Sequence, residues 1–239
     1  MTSLGKFLQV RSAPIQLLLL CALGCANATH AHGIAGSDAA FVASSTGAQI
    51  VPFVYLGAKH MATGYDHLLF VLGVIFFLHR LRQVALYVTM FSVGHSITLL
   101  AGVLGDIHAN SWLVDAVIGL SVAYKAFDNL GGFTTVFCLQ PDNKVAVLGF
   151  GLFHGFGLAT KLQTLQLSKA GLLTNLVSFN VGVELGQMLV LSLLLVLMAW
   201  WRMRKGFHEQ ALVANVLILA AGFLLMGYQL SGYFVPLKA

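Results

Sequence analysis

Long apolar stretches recur along almost the whole chain, and they constrain the fold more than any other feature. Of the 239 residues only 9% are charged while 58% are hydrophobic, and the mean hydropathy is +0.86. A water-soluble domain carries roughly 25% charged residues, so this surface is not made mainly for water. Helices satisfy their backbone hydrogen bonds internally, as a lipid environment demands. We therefore predict an all-α fold, a polytopic bundle of transmembrane helices.

Hydropathy predicts about six spans, each near the roughly 20 residues that a bilayer requires. They lie near residues 53–78, 84–105, 112–130, 145–163, 172–201 and 211–234. The loops between them are too short for a separate soluble domain. We predict one six-helix transmembrane domain over residues 51–239, preceded by a short periplasmic segment over residues 29–50.

The N-terminus is predicted to be a secretory signal over residues 1–28. Lys6 and Arg11 form a basic region, an apolar run follows over residues 15–24, and Ala28 ends an A-x-A-type cleavage site. Lipid attachment at Cys25 is the alternative. Cleavage leaves Cys138 as the remaining cysteine, which argues against a disulfide within the chain, a thiolate zinc site or an iron–sulfur cluster.

The distribution of basic residues predicts the orientation. With the mature N-terminus outside, the inner loops hold most of the cations, which are Arg80, Arg82, Lys144, Arg202, Arg204 and Lys205. Lys161 and Lys169 are exceptions on the outer side. We predict a multi-pass protein of the bacterial inner membrane with a periplasmic N-terminus. The formal charge of +5 is explained by span ends, so no nucleic-acid partner is expected and membrane lipid is the surrounding partner.

Polar and ionisable side chains occur in nearly every predicted span, although each charged one costs roughly 2.5–3.5 kcal/mol at bilayer depth. Such residues usually have a function, and they divide into two groups here. The main candidate metal ligands are His60, Asp66, His67, His95, His154 and Glu184. The secondary candidates are Asp115, Asn180 and Gln187, with His30 and His32 in the N-terminal segment.

Helical spacing predicts that these side chains converge. His60 and His67 are two turns apart on one face, and Gly64 between them would let a neighbouring helix approach. Asn180, Glu184 and Gln187 form a polar stripe at i, i+4 and i+7. We expect a polar cavity that is entered from outside and narrows towards the midplane.

Imidazole, carboxylate and amide donors without thiolate suit Ni²⁺, Co²⁺, Zn²⁺, Mn²⁺ or Fe²⁺. Each residue taken singly has another interpretation. A lone His95 can serve as an interhelical hydrogen-bond donor, and Asp115 or Asn180 can bind helices together.

Several ordered blocks resemble the HupE/UreJ family of bacterial membrane proteins, and its second, UreJ-like branch in particular. The blocks are His60-x5-Asp66-His67, Gly94-His95-Ser96, residues 151–157 around His154, and residues 179–187 around Glu184. The resemblance covers roughly residues 50–235. It implies a secondary permease for nickel, or in some members cobalt, in which His60, Asp66 and His67 match the family motif. Asp115 stands where Glu is expected.

Three functional hypotheses follow. The first is a divalent-metal permease driven by a gradient or a partner, because no GxxxxGK[ST] loop is present. The second is a membrane-embedded metalloenzyme, which the absence of HExxH and GxSxG patterns disfavours; we do not expect an enzyme. The third is a non-transporting subunit or assembly factor that docks a membrane-protein partner.

Overall fold

A computed structural model describes residues 37–78, 80–165 and 168–235, and its regular structure there is helical throughout. The predicted signal over residues 1–28 and the candidates His30 and His32 lie outside the described residues. The helices are α1 (Ser37–Ser44), α2 (Ile50–Thr63), α3 (Tyr65–Ile75), α4 (Leu81–Leu104), α5 (Ser111–Asn129), α6 (Gly132–Val136), α7 (Asn143–Gln163), α8 (Leu172–Arg202) and α9 (Phe207–Phe234).

Helix starts follow local signals in the sequence. The Asn110 side chain accepts a hydrogen bond from the Leu113 amide at the start of α5, and Asp142 accepts one from Lys144 at the start of α7. Gly171 and Gly206 precede α8 and α9 with φ of 74° and 85°. A left-handed conformation of this kind is cheap for glycine, which places the reversals at those residues.

Four described helices are long and apolar enough to cross a membrane, which confirms the helical membrane bundle. They are α4, α7, α8 and α9, and their bounds lie within a few residues of the predicted spans. The predicted span over 112–130 is also a helix, α5, but it is not one of these four. It carries three charged residues, which are Asp115, Lys125 and Asp128.

The predicted span over 53–78 consists of two helices rather than one. The chain leaves helical geometry at Gly64, whose φ and ψ are −74° and 98°, and resumes as α3. α3 has 11 residues and is about 16 Å long, far short of a bilayer. A Cβ on Gly64 would meet His60, Asp66 and His67 rather than another helix. The glycine therefore serves the break and not, as expected, a helix crossing.

Glycines hold three helix pairs in close contact. A Cβ on Gly155 of α7 would lie 2.1 Å from the His95 carbonyl oxygen of α4. One on Gly182 of α8 would lie 2.0 Å from the Val54 oxygen of α2, and one on Gly119 of α5 would lie 2.6 Å from the Met226 nitrogen of α9. Small residues on these helices thus allow close backbone contact.

The bundle has two ends, which we name by one residue each. At the Gln49 face, Asn175 of α8 accepts a hydrogen bond from the Gln49 amide and donates one to the Gly47 carbonyl. At the Arg202 face, Arg202 donates to the Ile75 and Phe76 carbonyls at the end of α3. These ties position the short α2 and α3 against the long α8, with the break at Gly64 between the two faces.

Candidate metal site

Four histidines from four helices gather immediately beside the break in the first span. His67 of α3 is fully buried. Its ring centroid lies 4.9 Å from that of His154, 5.2 Å from that of His60 and 6.0 Å from that of His95. The structure therefore brings together the four intramembrane histidines that the sequence singled out, with His67 in the middle.

Asp66 orients the central imidazole. Its Oδ1 accepts hydrogen bonds from the His67 amide at 2.7 Å and from His67 Nδ1 at 2.9 Å. A ring nitrogen that donates to a carboxylate carries the proton, which leaves Nε2 as the lone-pair nitrogen of the neutral ring. A carboxylate behind an imidazole is the arrangement that commonly fixes a metal-binding histidine.

His154 has the same tautomer for a different reason. Its Nδ1 lies 2.8 Å from the Phe150 carbonyl oxygen one helical turn earlier. A carbonyl oxygen only accepts, so Nδ1 donates and Nε2 keeps the lone pair. Two of the four rings thus offer the nitrogen that metal ions bind.

His95 is fully buried, and within the described residues neither of its ring nitrogens has a hydrogen-bond partner. The ring lies nearly parallel to that of Phe91, with the centroids 6.3 Å apart. Leaving a buried polar group unsatisfied costs about 1–3 kcal/mol. The interpretation of His95 as an interhelical donor gains no support from this geometry, whereas a ligand role would explain the residue.

A layer of phenylalanine rings borders the histidines on the side of the Arg202 face. Phe91 and Phe70 lie 4.9 Å and 5.4 Å from the His154 ring, centroid to centroid. Phe70 also lies 5.9 Å from Phe150. This layer keeps water from that side away from the imidazoles and strengthens electrostatic interactions among them.

Asp115 and Lys161 form an ion pair near the cluster, on the side of the Gln49 face. Lys161 Nζ lies 2.7 Å from Asp115 Oδ2. From the sequence, Asp115 is a secondary candidate ligand, and Lys161 is only an exception to the distribution of basic residues. Asp115 lies on α5 and Lys161 on α7, and no sequence motif links them, so only the packing of α5 against α7 reveals the pair.

Two members of the polar stripe on α8 form hydrogen bonds with serines of α4. Asn180 Oδ1 accepts a hydrogen bond from Ser96 at 3.1 Å, and Gln187 Oε1 accepts one from Ser92 at 2.7 Å. Glu184 is half-buried and forms no hydrogen bond or ion pair with any described residue. Asn180 and Gln187 therefore bind helices together here, whereas Glu184 forms no hydrogen bond with the histidine cluster among the described residues.

The sequence predicted a polar cavity entered from outside, but this conformation has no open polar cavity between the Gln49 face and the histidines among the described residues. A cleft of about 350 Å³ does lie there, but its lining is largely apolar and includes Val42, Phe53 and Leu172. Phe179 lines the same cleft and lies 5.8 Å from the His60 ring. Since His67, His95 and His154 are 0% exposed, the cluster is closed off in this conformation.

The donor atoms do not form a finished coordination sphere. Among the described residues, no three or more His, Cys, Asp or Glu side chains are placed so that they could hold a metal ion together. Imidazole nitrogens bind such ions at about 2.0–2.1 Å. The ring centroids are only 4.9–6.0 Å apart, so the directions of the ring nitrogens, rather than the ring separations, would have to change before the side chains could share one ion.

The fold and this cluster define a multi-pass helical membrane protein with imidazole and carboxylate groups buried beside a broken helix. The model of the HupE / UreJ protein family matches residues 36–237, and the chain belongs to that family. The family is generally related to nickel and cobalt transport. No curated protein and no solved structure matches the chain.

Proposed function

We propose that the protein is a secondary permease of the bacterial inner membrane for a divalent transition-metal ion. Nickel is the cargo we favour, with cobalt, zinc, manganese and iron compatible with the same donors. The observation that carries the proposal is the convergence of four buried histidines on His67, with Asp66 behind it. The family match supports the same class of cargo.

The break at Gly64 supports a transport role in particular. Non-helical backbone at membrane depth is tolerated where it is buried in protein or lines a water-filled cavity, and broken helices mark the substrate sites of many transporters. Here the break lies between His60 on α2 and the Asp66–His67 pair on α3. A small rotation about Gly64 would change the distance between these groups, which is how ligands could release a cargo ion after binding it.

His60 is 7% exposed, whereas His67, His95 and His154 are 0% exposed, and this difference suggests the order of contacts. An ion that enters from the Gln49 face, which we propose is periplasmic, would meet His60 before His67, His95 and His154. The imidazoles must be neutral to bind it, so binding and protonation compete. The phenylalanine layer would then have to part for release towards the Arg202 face.

Uptake of radioactive nickel at limiting concentration tests the proposal. His67→Ala should abolish most of the uptake, because it removes the central ring and the partner of Asp66 together. His108→Ala is the matched control, since His108 lies in an exposed loop and its variant should transport like wild type. Unchanged uptake by His67→Ala, with equal amounts of both variants in the membrane, would refute the role of this cluster.

The same experiment separates transport from an accessory role. If the purified protein binds nickel in fixed stoichiometry while cells carrying it accumulate none, a non-transporting metal-binding subunit is the better description. Product formation from a substrate would be needed to favour the metalloenzyme.

A further inference from the structure

Lys161 places a positive charge beside the buried cluster. It lies on α7 seven residues after His154, so the two residues share one face of the helix about two turns, or about 10 Å, apart. Its side chain is 26% exposed, while that of its partner Asp115 is only 8% exposed. Lys161 thus holds the buried carboxylate of Asp115 from a partly exposed position near the end of α7.

The ammonium acts on more than its partner. Besides the 2.7 Å contact with Asp115, Lys161 interacts electrostatically with His60, Asp66 and His67. An ion pair that only bound α5 to α7 would not need to lie close to the histidine cluster. The charge lies on the Gln49 side of the histidines, near the end of α7.

We propose that Lys161 sets how strongly the cluster attracts a cation; this inference rests on the proposed transport function. Asp66 and Asp115 together carry two formal negative charges, and Lys161 offsets one of them. A divalent ion is then attracted by one net charge, together with the imidazole nitrogens. Conduction requires that a site bind its ion firmly enough to admit it and weakly enough to let it leave. The Lys161 ammonium weakens the binding of the ion enough for it to leave.

A charge series on the full-length protein tests the inference, with Ni²⁺ alone as the probe in equilibrium binding. Lys161→Met should bind Ni²⁺ on the order of tenfold more tightly, because it removes a nearby like charge. Asp115→Asn should bind on the order of tenfold more weakly, since it leaves the ammonium uncompensated. The double variant restores the net charge and should bind close to wild type, as should Lys161→Arg.

Opposite signs for the two single variants are the decisive result. A purely structural pair predicts that both single variants weaken binding, and that outcome overturns the inference. If Lys161→Met does not fold, the double variant is compared with Asp115→Asn. It should bind more tightly, and equal affinity overturns the inference.

Lys59→Met is the matched control. Lys59 pairs with Asp38 at 2.6 Å on the same side of the bundle, but its side chain is 42% exposed, so the variant should bind Ni²⁺ like wild type. In uptake assays Lys161→Met should lower both the KM and the maximal rate, because tighter binding slows release. A wild-type protein that neither binds nor transports Ni²⁺ refutes the proposed function itself. Wild-type binding with no change in Lys161→Met refutes this inference alone.

Discussion

At the scale of single residues, the cluster depends on which nitrogen of each ring carries a proton. Asp66 and the Phe150 carbonyl each hold a proton on an Nδ1 atom, so His67 and His154 present Nε2. Through its contact with Nδ1, the Asp66 carboxylate orients the His67 ring. The carboxylate also accepts the His67 amide at the start of α3, which ties the ring to the helix end.

Asp66→Asn should weaken Ni²⁺ binding about 10–100-fold, the usual effect of changing a carboxylate behind a metal-binding histidine. The amide oxygen can still accept the same two hydrogen bonds, so the fold should persist. Equilibrium Ni²⁺ binding measures the effect, and thermal unfolding checks the fold. Asp106→Asn is the control because Asp106 is 84% exposed. Affinity equal to wild type in Asp66→Asn would show that the carboxylate does not act on the ligand set.

The sequence predicted the gathering of His60, His67, His95 and His154, because charged and imidazole groups are too costly in lipid to be scattered. It could not predict which face of α8 meets which neighbour. Periodicity defined the stripe of Asn180, Glu184 and Gln187 but did not show that Ser92 and Ser96 of α4 face it. For the same reason it missed Lys161 as the partner of Asp115. The available signal was that Lys161 follows His154 by seven residues, which places both on one face of α7.

At the scale of helices, close packing positions the histidines. α4 and α7 pack against each other along their glycines, and the His95 carbonyl lies against Gly155. Hydropathy located most helices well because length and apolarity are local properties. It missed the break at Gly64 because one glycine hardly changes the mean hydropathy of a span. The break follows instead from backbone geometry and from contacts that form only in the bundle.

Gly155→Ala should destabilise the bundle by about 1–3 kcal/mol, the range for overpacking a tight core. Its new methyl would lie 2.1 Å from the His95 oxygen and 2.3 Å from Thr98 Oγ1, so α4 and α7 must separate and shift His95. Thermal unfolding of the purified protein measures the effect, and Ni²⁺ binding should weaken with it.

Gly149→Ala on the same helix is the control for that change. Nothing lies within 4 Å of its Cβ position, so the substitution should be neutral or stabilise by about 0.5–1 kcal/mol through helix propensity. Equal stability of the two variants would show that α4 and α7 are not packed as described.

At the scale of the whole molecule, the histidine cluster is closed off inside the bundle, and the two faces of the bundle differ from each other. The Gln49 face carries the apolar cleft and the Lys161–Asp115 pair. The Arg202 face lies beyond the phenylalanine layer and holds most of the basic loop residues. A vectorial function needs such an asymmetry, and the direction of the proposed transport depends on which face meets the cytoplasm.

Cys138 offers a direct measurement of that orientation. It is exposed in the loop between α6 and α7 at the Arg202 face, and we propose that this face is cytoplasmic. A membrane-impermeant maleimide should therefore leave Cys138 unlabelled in intact cells and label it in inverted membrane vesicles. His108→Cys in a Cys138→Ser background should give the opposite pattern, because residue 108 lies in the exposed loop between α4 and α5 at the Gln49 face. Labelling of Cys138 in intact cells would show that the orientation is the opposite of the proposed one. His60 would then be reached from the cytoplasm, and the same ligands would serve export.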